Sequence, residues 1–275
     1  MRRNKTLGFV LALMLLPVLA ATANAQVYQP TVGQEGKDVI WVPTPEELIK
    51  AMLDMAKVTP NDYLIDLGSG DGRIVIAAAK RGVKAMGVEY NPDMVALSKS
   101  NAEKEGVSGK ATFIRADIFE TDFNQATVLT MYLLPSLNMK LRDKVLAMKP
   151  GTRVVSHAFN MEDWEPDQTA NVEERTAYLW IVPAKAAGTW DVQTAAGAGE
   201  LTLKQTFQKL EGTLKMGGKT VPVKDARLEG TRISFSVGDT KPTTYTGQVS
   251  GGTMDGTAKA GTDPATKWSA KKRAS

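Results

Sequence analysis

The clearest chemical signal in the chain is a glycine-rich turn, Asp66-Leu67-Gly68-Ser69-Gly70-Asp71-Gly72. It separates an apolar strand pattern at Tyr63 to Ile65 from a helical pattern at Arg73 to Lys80. Three glycines at alternate positions let the backbone turn tightly and approach a ligand closely. The helix that follows directs its free N–H groups and the positive end of its dipole toward the turn. The pattern therefore predicts a nucleotide-type binding loop.

The spacing of the glycines in this loop indicates which class of nucleotide-type ligand it binds. A dinucleotide fingerprint reads G-x-G-x-x-G, and it requires glycine where this chain has Arg73. The order is instead acid-x-Gly-x-Gly-x-Gly, which resembles motif I of class I S-adenosylmethionine (SAM) methyltransferases. The resemblance implies SAM as cofactor and Gly68, Gly70 and Gly72 as cofactor-binding residues. Asp66 is predicted either to hold the loop or to contact the methionyl end of SAM, directly or through water.

Two more acidic residues follow predicted strands. Glu89 ends the strand pattern Ala85 to Glu89, about 20 residues beyond the loop, where such sheets place a ribose-binding carboxylate. The alternative is an acid that caps the helix beginning at Pro92. Asp117 follows the strand pattern Ala111 to Arg115. The resemblance implies that it accepts a hydrogen bond from the adenine amino group, and the alternative is an ordinary solvated loop acid.

Four short motifs extend the resemblance. They are Val42-Pro43-Thr44-Pro45, Tyr132-Leu133-Leu134-Pro135, Phe159 and Trp164-Glu165-Pro166. Together with motif I they resemble the family of the ATP synthase c-subunit lysine methyltransferase, over about residues 41–182. The resemblance implies transfer of a methyl group to an acceptor, with a protein lysine as the first expectation and a small molecule as the second.

Two aromatic residues lie at predicted strand ends: Tyr132 after the fourth strand, whose end the resemblance implies faces the transferred methyl group, and His157 after the fifth, near the mouth of the cleft. Tyr132 is the catalytic candidate, because it could orient a nucleophile or contact the sulfonium; a packed aromatic is the equal alternative. His157, the one histidine, is either a general base or a side chain satisfied by local hydrogen bonds. Asp71 is either a ligand or a helix cap. The sequence has no cysteine and no cluster with metal-ligand spacing, so we predict no metal.

Alternating strand and helix patterns predict the α/β class, a Rossmann-like class I methyltransferase doubly wound sheet. Helical patterns other than the one after the loop cover residues 45–56, 92–105 and 137–148. From Gly188 onward, short β runs with Gly and Thr punctuation predict a small all-β C-terminal domain, a meander or barrel. The predicted domains are therefore residues 26–185, which bind SAM, and 186–275, which are β-rich.

The N-terminus has the pattern of a secretory signal peptide over residues 1–25. Basic Arg2, Arg3 and Lys5 precede an apolar run from Leu7 to Ala20, and Ala23-Asn24-Ala25 offers a cleavage site. We therefore expect an exported protein in the periplasm or cell envelope, with no spanning segment after cleavage. The alternative is an uncleaved N-terminal anchor. Two alternative functions also fit an exported protein. One is a SAM-binding protein without turnover, and the other is an envelope protein whose β domain carries the main binding role.

The charge distribution argues against nucleic acid as a partner. Residues 26–185 carry 18 basic and 22 acidic side chains, a net charge of −4. Residues 186–275 carry 13 basic and 8 acidic side chains, a net charge of +5. Phosphate contacts need clustered Lys and Arg, which the acidic SAM-binding half lacks.

Overall fold

A computed structural model describes residues 28–274 of the 275-residue chain. The predicted signal peptide, residues 1–25, lies outside the described residues. Within residues 28–274, no helix has the length and apolar character needed to cross a membrane.

The first half of the chain forms a seven-stranded sheet with the order β3-β2-β1-β4-β5-β7-β6. Strands β1 to β5 are parallel, and β7 runs antiparallel between β5 and β6. The strands are β1 Tyr63–Leu67, β2 Lys84–Glu89, β3 Ala111–Arg115, β4 Val128–Met131, β5 Arg153–His157, β6 Gln168–Val172 and β7 Arg175–Ile181. Since the chain order reverses between β1 and β4, the carboxyl ends of these strands frame a crevice, the usual ligand position in open α/β sheets.

Helices cover both faces of this sheet. They are α1 Glu46–Met55, α2 Arg73–Lys80, α3 Pro92–Lys104 and α4 Pro135–Leu146. Apolar residues of α1, α2 and α3 fill one core, and those of α4 fill the other. Proline occupies the first turn of α3 and of α4, where its missing N–H costs nothing. The predicted Rossmann-like sheet is confirmed, although α4 begins two residues before the predicted start at Leu137.

The second half of the chain is a closed eight-stranded antiparallel barrel. Each strand pairs with the next along the chain, and β15 pairs with β8 to close the ring. The strands are β8 Gly188–Thr194, β9 Gly197–Thr206, β10 Lys209–Met216, β11 Lys219–Glu229, β12 Arg232–Val237, β13 Thr243–Ser250, β14 Thr253–Ala260 and β15 Thr266–Lys272. The predicted all-β region is thus a barrel, while the domain boundary at residue 185 stays a prediction.

Alternating side chains fill the barrel interior, as expected for eight strands. Phe235 and Tyr245 stack with ring centroids 4.8 Å apart, and Trp268 packs edge-on against both. Gly212 allows β9 and β10 to approach, because a Cβ there would lie 1.9 Å from the Thr202 carbonyl oxygen. The barrel interior is therefore a packed core made of aromatic and aliphatic side chains.

Candidate active site

A cavity of about 790 Å³ lies at the carboxyl ends of β1, β2 and β4 and beside the loop after β3. Its other wall is the segment of residues 33–44, which we call the N-terminal strap. The strap folds back on itself through hydrogen bonds from Gly33 N to Trp41 O and from Trp41 N to Gln34 O, each 2.9 Å long. The cavity is thus enclosed between the sheet edge and a segment that precedes the first helix.

The glycine loop needs its glycines for conformation and for space. Gly68, Gly70 and Gly72 have φ angles of 77°, 53° and 83°, in the left-handed region that disfavours other residues. A Cβ on Gly70 would lie 2.8 Å from Trp41 Nε1, and one on Gly72 would lie 2.7 Å from the Phe113 ring. Gly68 and Gly70 line the cavity, whereas Gly72 lies behind it at the start of α2.

Asp66 is buried at the end of β1 and lines the cavity. Its Oδ1 accepts a hydrogen bond from Thr130 Oγ1 on β4 at 2.7 Å. Burial, with the nearby negative charges of Glu89 and Asp71, raises the pKa of Asp66 to about 7. A cation bound next to Asp66 would favour the ionised carboxylate, and the carboxylate would in turn stabilise the cation.

Glu89 braces the glycine loop from β2. Its Oε2 accepts a hydrogen bond from Gly70 N, and its Oε1 accepts one from Asn91 N, each at 2.9 Å. The cap of α3 is not Glu89 but Asn91, whose Oδ1 accepts from Asp93 N at 2.9 Å. Each carboxylate oxygen has a second lone pair, so Glu89 can hold the loop and accept a ribose hydroxyl as well.

Asp71 binds Arg73 rather than acting as a simple helix cap. Arg73 donates to Asp71 from Nε at 2.9 Å and from one terminal nitrogen at 2.7 Å. Its other terminal nitrogen donates to the Thr44 carbonyl oxygen at 3.0 Å. The pair therefore ties the glycine loop to the end of the N-terminal strap.

Asp117 lines the cavity from the loop after β3 and forms an ion pair with Lys37 of the strap. The Lys37 ammonium and the Phe119 backbone N–H lower the pKa of Asp117 below its usual range. Lys37 also lies 4.9 Å from the centroid of the Tyr90 ring, a cation–π distance. The carboxylate predicted to meet the adenine amino group thus faces the cavity and is held by the strap.

Three rings pack together at the ends of β4 and β5. Tyr132 lines the cavity, with its ring centroid 3.8 Å from that of His157 behind it and 6.1 Å from that of Phe159 beside it. His157 Nδ1 is hydrogen-bonded to Thr44 Oγ1 at 3.1 Å, and both side chains are buried. Burial and Arg175 lower the pKa of His157 to about 4. A neutral histidine with a local partner behind Tyr132 is better suited to supporting that ring than to accepting a substrate proton.

The structure brings Asp66, Gly68, Gly70, Glu89 and Asp117 to one cavity, with Tyr132 at the same site. Gly72 is the exception among the predicted positions. Sequence reasoning missed the strap residues Lys37 and Trp41; the only signal was an apolar Ile-Trp-Val run just before the first helix. Within residues 28–274, no group of three or more His, Cys, Asp or Glu side chains could hold a metal ion.

The cavity suits SAM in size and in chemistry. Its volume lies within the range of about 300–1,000 Å³ typical of small-ligand sites. It offers carboxylates from three elements, Asp66 on β1, Glu89 on β2 and Asp117 after β3, and a glycine at position 70 where a Cβ would collide with Trp41. Carboxylates can accept hydrogen bonds from an ammonium, ribose hydroxyls and an adenine amino group, which are the donors that SAM presents.

Comparisons with known proteins agree with this geometry. A family model for the ANTKMT methyltransferase domain matches residues 66–168. The chain is 44% identical over 151 residues to a protein-lysine N-methyltransferase of Saccharolobus islandicus, covering 52% of this chain and 94% of that protein. It is 41% identical over 122 residues to the ATP synthase c-subunit lysine N-methyltransferase of Rattus norvegicus, covering 44% of this chain and 56% of that one. The chain thus spans about half the length of this mammalian relative.

A solved structure shares both sequence and fold with the α/β half. It is an RNA methyltransferase from Salinibacter ruber in complex with S-adenosyl-L-homocysteine, 46% identical, with a TM-score of 0.51. The match covers 52% of this chain and 95% of that one. Together with the glycine loop and its carboxylates, these similarities place the chain in the family that includes the S. islandicus protein-lysine N-methyltransferase, and the chain is a SAM-dependent methyltransferase.

Proposed function

We propose that this methyltransferase transfers the methyl group to a lysine side chain of a protein. The observation that carries the proposal is the charge of the cavity. Its lining contains six acidic residues and two basic ones, Lys37 and Arg73. The acidic residues are Glu35, Asp38, Asp66, Asp71, Glu89 and Asp117. Such a lining attracts a cationic acceptor as well as the cationic cofactor.

The aromatic wall suits the lysine itself. An ammonium group is attracted to the faces of rings such as Tyr132 and Phe159. Moving that ammonium out of water lowers its pKa, which favours the neutral amine needed for attack. SAM supplies an electrophilic methyl group on a sulfonium. The lysine ammonium first loses a proton to solvent. Its nitrogen then forms the new N–C bond as the C–S bond breaks. The chain orients the acceptor and excludes water.

The relative from Salinibacter ruber is an RNA methyltransferase, so RNA is the alternative acceptor to compare with a protein lysine. An RNA substrate requires cationic side chains for its phosphates. Both basic residues of the lining are already paired, Lys37 with Asp117 and Arg73 with Asp71. The acidic excess of the cavity therefore supports a protein lysine over RNA.

The test is incubation of the purified protein with methyl-labelled SAM and a cell-envelope extract. We expect label in protease-sensitive, nuclease-resistant material, and methylated lysine in its acid hydrolysate. Label that nuclease releases would identify RNA as the acceptor, and label in the small-molecule fraction would identify a small molecule. Binding of SAM without any labelled product would instead favour a SAM-binding protein without turnover.

We also propose that the protein is exported, on the strength of the signal-peptide pattern in residues 1–25. Cell fractionation followed by mass spectrometry tests this. We expect a periplasmic or envelope-associated protein whose first residue is Gln26. A protein that starts at Met1 in the membrane fraction would indicate an uncleaved anchor, and a cytoplasmic protein would contradict export.

A further inference from the structure

The turn between β9 and β10 has an unusual composition for a two-residue hairpin. It consists of Phe207 and Gln208, since Thr206 pairs directly with Lys209. Phe207 has a φ of 52°, in the left-handed region. Two-residue hairpins place Gly or Asn at such positions, and a bulky aromatic residue there is a conformational outlier. The conformation of the turn therefore does not favour Phe207, which indicates that the residue is present for the contacts it makes.

Those contacts lie on the methyltransferase half. The Phe207 ring stacks on Trp164, with centroids 5.7 Å apart and planes 16° apart, and it packs with the α/β core rather than the barrel core. Gln208 Oε1 accepts from Trp164 Nε1 at 3.0 Å, and Gln208 Nε2 donates to the Glu165 carbonyl oxygen at 2.7 Å. Trp164 and Gln208 are only 0% and 6% exposed. If their hydrogen bond were lost, water could not readily replace either partner.

Trp164 ends a short loop of residues 158–164 that is held from two sides. Within it, Ala158 and Glu162 have φ angles of 64° and 54°, which cost energy for residues other than glycine. From α4, buried Asn138 donates to the carbonyl oxygens of Phe159 and Asn160, each at 3.2 Å. From the barrel, the Phe207-Gln208 turn fixes the other end. A strained loop persists only when its surroundings hold it.

This loop carries Phe159, which lines the cavity beside Tyr132. We propose that the Phe207-Gln208 turn is a positioning element for methyl transfer: the barrel holds the loop that places Phe159 against Tyr132 at the acceptor end. The family model's match ends at residue 168, so this support comes from outside the matched region. The acceptor role rests on the proposed function, whereas the mechanical role does not.

Two variants of the full chain test the proposal. Phe207→Asn removes the ring and keeps a residue that tolerates positive φ, and Gln208→Leu removes both hydrogen bonds at similar volume. The matched control is Gly217→Asn, in the turn at the other end of β10, where φ is 55° and a Cβ would meet nothing within 4 Å.

Hydrogen exchange is measured at two loop amides, Ala158 N, which donates to Thr176 O at 2.8 Å, and Trp164 N, which donates to Met161 O at 3.1 Å. We expect exchange at both to accelerate by about tenfold or more in the two variants and not in the control. Affinity for S-adenosyl-L-homocysteine should stay unchanged, because the glycine loop follows β1 and Glu89 ends β2, so neither belongs to the altered turn or to the loop that it holds. Label transfer from SAM to cell-envelope proteins should fall.

Unchanged exchange at both amides, in variants that still bind S-adenosyl-L-homocysteine, would overturn the proposal. Acceleration spread evenly through the barrel would also overturn it, since the turn would then stabilise only its own domain. If the unaltered protein labels no acceptor, the proposed function fails, and the exchange measurement still decides whether the barrel holds the loop.

Discussion

Asp66 lines the cavity and has a pKa close to neutral, so we expect its ionisation to respond to cofactor binding. Its pKa of about 7 reflects burial first and neighbouring carboxylates second. A bound cation stabilises the ionised form, so SAM binding and proton release from Asp66 are thermodynamically linked.

We predict that the affinity for SAM rises with pH through the neutral range. With a pKa of about 7, the ionised fraction of Asp66 increases about tenfold between pH 6 and pH 8, and affinity should follow it. Calorimetric titrations at several pH values measure this change. In Asp66→Asn the slope should vanish; an equal slope in that variant would assign the titration to another group.

The same pKa shift has the opposite effect on the ligand-free protein. Because the pKa of Asp66 rises from 3.8 to about 7 on folding, the folded state binds more protons between these values, and this contribution to stability is lost as pH increases. Asn does not titrate. We therefore predict that the free energy of unfolding of Asp66→Asn increases, relative to that of the unaltered protein, from about pH 4 to pH 7. Chemical denaturation across this range measures the difference, and a constant difference would contradict the prediction.

Glu89 has two functions in one carboxylate, bracing the glycine loop and facing the cavity. Glu89→Ala removes the acceptor for the Gly70 and Asn91 N–H groups as well as the predicted ribose partner. We expect SAM binding to weaken by about tenfold or more. Calorimetry against Glu47→Ala, an exposed change on α1 outside the cavity lining, measures the effect. Unchanged affinity would remove Glu89 from the site.

The N-terminal strap encloses the cofactor cavity through Trp41, which contacts Gly70, and Lys37, which binds Asp117. We predict that Trp41→Ala speeds the release of S-adenosyl-L-homocysteine by about tenfold, because dissociation rates carry most affinity changes. Stopped-flow displacement measures the rate. Val32→Ala is the control, since Val32 is 64% exposed and lies outside the cavity lining. Equal rates in the two variants would show that the strap does not retain the ligand.

The helices of the α/β half were predictable because their boundaries have local causes. The glycine turn and the prolines set the start of α2 and α3, and the observed bounds, Arg73–Lys80 and Pro92–Lys104, match to within a residue. The carboxylate positions Glu89 and Asp117 followed as well, because parallel strands bring their carboxyl ends to one edge.

Elements that lack an apolar pattern, or that depend on distant contacts, were not predictable. The sheet-edge strand β6 was missed, since Gln168–Val172 is polar and largely exposed, and it pairs only with β7. The strap has no hydrophobic period, and Lys37 meets Asp117 from 80 residues away. The barrel region was predicted as β, but its closure depends on pairing β15 with β8, which no local pattern encodes.

The two halves of the molecule are joined both by exposed ion pairs and by buried contacts. Lys209 and Glu165 form a 2.7 Å pair across the junction, but both are more than half exposed. Solvent screens such pairs, so we predict that Lys209→Ala changes the free energy of unfolding by less than about 1 kcal/mol. Urea denaturation measures this. A larger loss would mean that charge, rather than the Trp164 and Gln208 contacts, holds the halves together.

Closure of the barrel has a consequence for the order of folding. The strand that completes the ring, β15, is synthesised after the other seven barrel strands, and its partner β8 lies more than 70 residues earlier. Until β15 emerges, β8 and β14 each present an unpaired edge, the kind of surface that promotes aggregation. A chain that has not yet exposed β15 therefore cannot finish the barrel, and even a short deletion within Thr266–Lys272 should leave it open.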